Sequence, residues 1–300
     1  MTHILLFRFV PTIHPERVKL SSSEIQHAVR AALREDIGNG DATSLATVPA
    51  SATFSVAMRA REPMVLAGIN FAETAFRLLS RTVKIKRAAR DGQMLKAGEI
   101  ILHVSGPARA ILSAERVALN FVQRLSGVAT LTQHFVGDVK GTRAEILDTR
   151  KTTPGWRRFE KYAVSCGGGR NHRVGLFDMI LIKDNHLAAL RNAKPNAVAA
   201  AVQRARRQFP KLQVEVEADT LAQVIQAVEA RADIILLDNM STADLRAAVK
   251  LIGKRAKTEA SGGVNLKTVR AIAKSGVDFI SVGALTHSAR AVDVGLDFLR

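Results

Sequence analysis

Two stretches of the chain concentrate side chains that bind anions. In Asp148-Thr149-Arg150-Lys151-Thr152-Thr153-Pro154-Gly155 an arginine and a lysine are adjacent. They point to different sides of an extended segment and can grip different anions. Arg150 offers a planar fork for a carboxylate or phosphate, and Lys151 a mobile point charge. In Cys166-Gly167-Gly168-Gly169-Arg170-Asn171-His172-Arg173, three glycines that permit close ligand approach precede His172 and Arg173. Cys166 has no companion base and reads as a packing residue rather than a nucleophile. Lys183 ends the apolar run Met179-Ile180-Leu181-Ile182, where a lysine is costly unless it faces an anion.

Carboxylates follow at regular intervals. Val214-Glu215-Val216-Glu217 alternates, so both glutamates share one strand face and the valines the other. Leu236-Leu237-Asp238-Asn239 places a further carboxylate at the next strand end. Glu217 and Asp238 could hold Mg²⁺ directly or through water, or bind sugar hydroxyls. Ser261-Gly262-Gly263-Val264 and Ser281-Val282-Gly283-Ala284 end the last two apolar runs. Glycines ahead of a helix expose backbone N–H groups, which attract phosphate. Phosphate cradles, paired carboxylates and clustered cations describe a pocket for a phosphorylated sugar with further anionic groups.

These residues require strands whose ends converge. From 144 onward, apolar runs at 144–148, 178–182, 212–217, 233–238, 257–261 and 278–282 alternate with helical patterns at 157–165, 197–208, 221–230, 242–252 and 266–274. Successive units of similar length indicate parallel strands with right-handed crossovers. Polar residues at nearly every strand end favour a barrel, whose strand ends share one mouth. Only six strands are clear, short of an eight-stranded closure. The preceding region reads as a compact α+β domain, with strands at 53–60, 64–68, 82–88 and 100–105 and a helix at 70–79. Ser21 and Glu24 form a capping box for an earlier helix, and a long helix covers 112–135. The organisation expected is an N-terminal extension (1–20), a first domain (21–112), a barrel domain (113–288) and a tail (289–300). The last residues, 284–300, read as helical and as packing back on the first domain.

Composition narrows the partners. The 300 residues carry a formal charge of +17, with one cysteine and 5% aromatic residues. Ten basic against four acidic side chains fall between 139 and 183, interleaved with strand-like runs rather than set in a basic arm. The chain shows no nucleic-acid motif and few aromatic residues for base stacking. A lone cysteine excludes an intramolecular disulfide framework and suits a reducing cytoplasm. No apolar run reaches the roughly 18 residues of a membrane span. The reading is therefore neither a nucleic-acid nor a membrane partner.

The Asp148–Gly155 run, Gly167–Arg173 and Leu181-Ile182-Lys183-Asp184-Asn185-His186 together resemble the quinolinate phosphoribosyltransferases, also called nicotinate-nucleotide pyrophosphorylases (carboxylating). Glu35–Asp41, Glu115-Arg116-Val117-Ala118-Leu119-Asn120, Glu215–Glu217, Leu237–Asn239, Ser261–Val264 and Gly283–His287 match further family motifs in order. The resemblance covers roughly residues 22–298. It implies an α/β fold, an incomplete TIM-like α/β barrel with an N-terminal α/β sandwich domain. It also implies a homodimer in which Arg116 reaches the quinolinate site of the partner. By the same resemblance Arg150, His172 and Arg173 grip the two carboxylates of quinolinate, and Lys151 and Lys183 face the substrate anions. Glu217 and Asp238 serve ribose and Mg²⁺, and Lys151 joins them as a catalytic group. Ser261, Gly262, Gly263 and Gly283, with His287 nearby, take the 5-phosphate. The implied reaction converts quinolinate and phosphoribosyl pyrophosphate to nicotinate mononucleotide, pyrophosphate and CO₂. No protein nucleophile and no organic cofactor are expected. A related transferase acting on nicotinate is the main rival, but four cationic groups suit two carboxylates better than one. No role is read for Trp156.

Overall fold

The computed structural model describes residues 18–299; most of the N-terminal extension read at 1–20 lies outside these. In chain order the first elements are α1 (Ser22–Ile37), α2 (Ala42–Thr47), β1 (Thr53–Ala60), β2 (Met64–Val65), α3 (Ile69–Leu79), β3 (Lys84–Arg87), β4 (Met94–Leu95) and β5 (Ile100–Pro107). The middle of the chain forms α4 (Ala108–Val139), β6 (Glu145–Leu147), α5 (Arg157–Cys166), β7 (Ile180–Ile182), α6 (Asp184–Ala188), α7 (Ala197–Gln208) and β8 (Val214–Ala218). There follow α8 (Leu221–Glu229), β9 (Ile234–Asp238), α9 (Thr242–Ile252), β10 (Lys257–Ser261), α10 (Val269–Ala273), β11 (Phe279–Ser281), α11 (Ala284–His287) and β12 (Val294–Phe298). Two compact units result. One holds 172–281 with 141–145; the other holds 18–140, 146–171 and 282–299.

In the second unit, β12, β1, β5 and β3 form an antiparallel sheet in that order. The Ser21–Glu24 capping box starts α1 as its sequence requires. Helix α2 was not read from the sequence, although Asp41 signals it by accepting the Ser44 N–H at 3.0 Å. The long helix extends beyond the expected 112–135 to Ala108–Val139.

The tail corrects one expectation. The described residues 284–299 are not a helix throughout: α11 is a single turn, and β12 pairs antiparallel with β1, from Val56 opposite Phe298 to Ala60 opposite Val294. Without β12 the backbone groups along this edge of β1 would lack a ladder partner. Arg59 and Arg61 on and beside β1 both pair with Asp297.

The first unit is a run of strand–helix units. Strands β7, β8, β9, β10 and β11 lie side by side and parallel in that order. Beyond β11, the Glu145 N–H at the start of β6 donates to Asp278 O at 2.9 Å. The connecting helices bury one stripe each, such as Val224, Ala227 and Val228 of α8 or Leu245, Ala248 and Ile252 of α9. All five residues of β8 are buried, as expected for a parallel strand covered on both faces. The observed architecture is the α/β class read from the sequence, with a barrel-like parallel sheet and a separate α/β unit.

Candidate active site

Strand register decides which side chains of the parallel sheet meet. Glu217 is opposite Leu236, Leu236 opposite Glu259, and Asp238 opposite Ser261. Laterally paired residues of parallel strands point to one side, and alternate residues share that side. Glu215, Glu217, Asp238, Glu259 and Ser261 therefore line a single face. Leu181 pairs with Glu215, which brings Lys183, two residues on, beside Glu217.

At the strand ends the expected groups touch. Lys183 Nζ lies 2.6 Å from Glu217 Oε2, with the lysine 43% and the glutamate 7% exposed. The bond from Glu217, with the charges of Glu217, Asp238 and Asp184, pushes the Lys183 ammonium up, against an opposing effect of burial. Lys183 is thus a firmly held cation, half open to solvent. Asp238 accepts from the Ser261 hydroxyl on one oxygen and from Asn239 Nδ2 at 2.7 Å on the other. Gly262 has φ +90°, and a Cβ there would lie 2.1 Å from Asn239 Oδ1, so only glycine fits beside the Asp238-Asn239 turn.

His172 sits deeper than the sequence suggested. Its side chain is 8% exposed, and Nε2 lies 3.0 Å from Glu215 Oε2 and 3.6 Å from Glu259 Oε1. Arg173 donates its guanidinium Nη1 to Met179 O at 3.2 Å. Sequence alternation places Glu215 on the Glu217 face without indicating a role, and it does not single out Glu259. The signal for Glu259 was its position two residues before Ser261 in an alternating strand.

Arg150, Lys151, Gly283 and His287 belong to the other unit. Arg150 Nε is buried without a hydrogen-bond partner, which leaves donor capacity for an anion. Lys151 is exposed. A Cβ on Gly283 would lie 2.9 Å from Lys151 Cδ and 3.2 Å from His287 Nε2. Glycine 283 thus admits both side chains to one spot. The Thr286 hydroxyl donates to Lys151 O at 2.6 Å, which ties α11 to the same loop.

Two buried networks hold this loop, and neither was found from sequence. Lys161 and Asp148, both fully buried, form an ion pair. Asn171 donates to Asp148 Oδ2 at 2.7 Å and to Lys161 O at 2.8 Å, and accepts from Val18 N–H at 3.0 Å. Glu160, also fully buried, pairs with Arg124 at 2.6 Å and accepts from Thr153 N–H at 3.0 Å. Arg124 in turn donates to Thr286 O and Ala289 O, each at 2.6 Å. Trp156 now has a role as a clamp. It stacks on Phe121 with centroids 5.1 Å apart and meets Phe159 edge-on at 5.9 Å. Arg116 on α4 is exposed.

A barrel-like parallel sheet with cations, carboxylates and glycines at its strand ends has the arrangement of a barrel enzyme's pocket for anionic ligands. Family models for the N-terminal and C-terminal domains of quinolinate phosphoribosyl transferase match residues 41–126 and 128–297. The chain belongs to that family. It is 43% identical over 282 residues to nicotinate-nucleotide pyrophosphorylase [carboxylating] of Mycobacterium leprae, covering 90% of this chain and 95% of the relative. It is 40% identical over 302 aligned positions to quinolinate phosphoribosyltransferase [decarboxylating] 2a, mitochondrial, of Nicotiana tabacum, covering 95% and 84%. The solved nicotinate-nucleotide pyrophosphorylase of Francisella tularensis superposes with a TM-score of 0.89 at 39% identity, covering 95% of this chain and all of that one.

Proposed function

We propose that the chain transfers a phosphoribosyl group from phosphoribosyl pyrophosphate to quinolinate with loss of CO₂, giving nicotinate mononucleotide and pyrophosphate for NAD synthesis. Family membership supports the reaction class. The observation that carries the site assignment is the single strand face bearing the Lys183–Glu217 pair and the Asp238–Ser261 contact.

Quinolinate carries two carboxylates. Arg150, with its unpartnered buried Nε, and Arg173 supply the forks for them, with His172 beside Arg173. Lys151 and Lys183 neutralise substrate anions. Ser261, Gly262, Gly263, Gly283 and His287 receive the 5-phosphate. Oxygen donors of Glu217 and Asp238 suit a hard cation. One Glu217 oxygen already serves Lys183 and each Asp238 oxygen accepts one hydrogen bond, so Mg²⁺ would be held by the other Glu217 oxygen and the remaining lone pairs of Asp238, directly or through water. When bound, the ion supplies further positive charge against pyrophosphate.

The pyridine nitrogen already has a free lone pair, so no general base is needed to activate it. Bond making at the anomeric carbon accompanies departure of pyrophosphate, whose growing charge Lys151 stabilises. Glu217 and Asp238 favour the positive charge that builds on the ribose. The ribosylated ring nitrogen, now cationic, stabilises the carbanion left on the adjacent carbon when its carboxylate departs as CO₂, and that carbon then takes up a proton from solvent. Alignment of the two reactants supplies much of the remaining acceleration.

The enzyme acts as a homodimer in this reading. Arg116 is exposed on α4 and is available to complete the partner's quinolinate site. A cytoplasmic location fits the lone cysteine, and among the described residues no helix is long and apolar enough to cross a membrane.

Steady-state kinetics tests the assignment. Arg173→Ala should raise KM for quinolinate at least about ten-fold through loss of a charge-assisted contact. Asp238→Ala should act mainly on phosphoribosyl pyrophosphate and on Mg²⁺ dependence. Equal turnover of nicotinate and quinolinate would contradict the substrate assignment, and an unchanged KM for quinolinate in Arg173→Ala would contradict the site.

A further inference from the structure

Beneath the strand ends lies a pair of carboxylates that the reaction above does not use. Glu215 is completely buried and Glu259 is 1% exposed. Glu215 Oε1 and both oxygens of Glu259 lack a hydrogen bond of good geometry. Unsatisfied buried oxygens are uncommon and costly. Burial, and next the Glu215 charge, push the Glu259 carboxyl up, which lessens the repulsion within the pair.

His172 is the group these carboxylates face. The Arg173 main-chain N–H donates to His172 Nδ1 at 2.8 Å. A ring nitrogen that accepts carries no proton, so the proton of the neutral ring is on Nε2. Nε2 points at Glu215 Oε2, 3.0 Å away. The ring is therefore a link with both ends committed, from a buried carboxylate to the backbone of the next residue. The spacing of His172, Glu215 and Glu259, with ligand atoms within 4.8 Å of one another, would also suit a metal ion. A metal on Nε2 would need that nitrogen bare while Nδ1 already accepts, which the Arg173 N–H disfavours.

We propose that Glu215 and Glu259 are positioning residues for quinolinate: they hold His172 as its Nε2–H form, which pins the Arg173 backbone and aims the Arg173 guanidinium. The proposal rests on the reading of Arg173 as a quinolinate ligand. Arg173 is then fixed at two points, its main-chain N–H by His172 and its guanidinium by Met179 O. Glu259 Oε1 lies 3.6 Å from the same Nε2, and the burial of both glutamates keeps the link dry.

The test uses the full chain, with KM measured separately for quinolinate and phosphoribosyl pyrophosphate. Glu215→Leu removes the acceptor and should raise KM for quinolinate about ten-fold, with KM for phosphoribosyl pyrophosphate unchanged. Glu215→Gln keeps an oxygen that can accept from Nε2–H and should recover most of the loss. Equal effects on both KM values, or a loss confined to kcat, would overturn the proposal. If Glu215→Leu leaves KM for quinolinate unchanged while Arg173→Ala raises it, only the positioning role fails. If Arg173→Ala has no effect, the quinolinate site itself is misplaced and the positioning role falls with it. Should Glu215→Leu fail to fold, ¹⁵N spectra of histidine-labelled wild-type protein decide, with the His172 signals assigned by their loss in His172→Gln. A bare Nδ1 and a protonated Nε2 near neutral pH support the proposal; a protonated Nδ1 overturns it.

Discussion

Replacing Lys161 by methionine removes one half of a fully buried ion pair and leaves the other half in place. Lys161 and Asp148 are both fully buried, so water does not screen them and cannot easily replace the lost partner. In Lys161→Met, Asp148 keeps the bond from Asn171 Nδ2 but loses its countercharge. Breaking a buried pair from one side costs about 3–5 kcal/mol. That is a large share of a typical folding free energy of roughly 5–15 kcal/mol, and corresponds to a fall in Tm on the order of 10 °C. Removing both charges is different. In Lys161→Met with Asp148→Leu no charge is stranded, and Asn171 Nδ2 still reaches the residue 161 carbonyl. The double variant should recover to within about 1 kcal/mol of wild type. Urea unfolding of all variants at one protein concentration measures both, so that any self-association weighs equally on each. A single variant losing less than about 1 kcal/mol, or a double variant no better than the single, would refute the reasoning.

Other expectations come from the same geometry. Gly262→Ala places a Cβ 2.1 Å from Asn239 Oδ1 at φ +90°, so a cost of about 1–3 kcal/mol and a raised KM for phosphoribosyl pyrophosphate are expected; an unchanged KM would separate this turn from the phosphate site. Glu24 is held down to about 2, first by the bond from Arg158 and then by its capping bonds to Ser21. A depressed carboxylate stabilises the fold above its unfolded pKa, and that contribution disappears as pH falls from about 4.5 toward 2. Wild type should therefore exceed Glu24→Gln in stability at pH 6 by less than about 1 kcal/mol, because the pair is part-exposed. The gap should close by pH 2, and denaturation curves at the two pH values show whether it does. Arg116→Ala should leave folding intact and raise KM for quinolinate; mixing it with an inactive variant carrying an intact Arg116 should restore activity only if the arginine acts across a dimer.

Local pattern and recurring spacing were enough to place most of the architecture. The alternation in Val214–Glu217 is enough to put both glutamates on one face, and the even strand spacing implies the parallel sheet. Most of the family motifs were legible because they cluster at strand ends, where side-chain chemistry rather than packing sets residue type. The sequence alone did not reveal that β12 would be a strand. Residues 294–298 are too short to carry a strong periodic signal, and their partner β1 lies more than 230 positions away. Nor did it reveal that Lys161 and Glu160, adjacent on an apparently ordinary helix, would both be buried, each against a different ion partner. His172 looked like one cation among several until tertiary structure committed its two nitrogens, to Glu215 from a distant strand and to the next residue's backbone. Sequence periodicity records which way a side chain points. What it meets there depends on strand register and on segments far away along the chain, and only the folded structure brings these together.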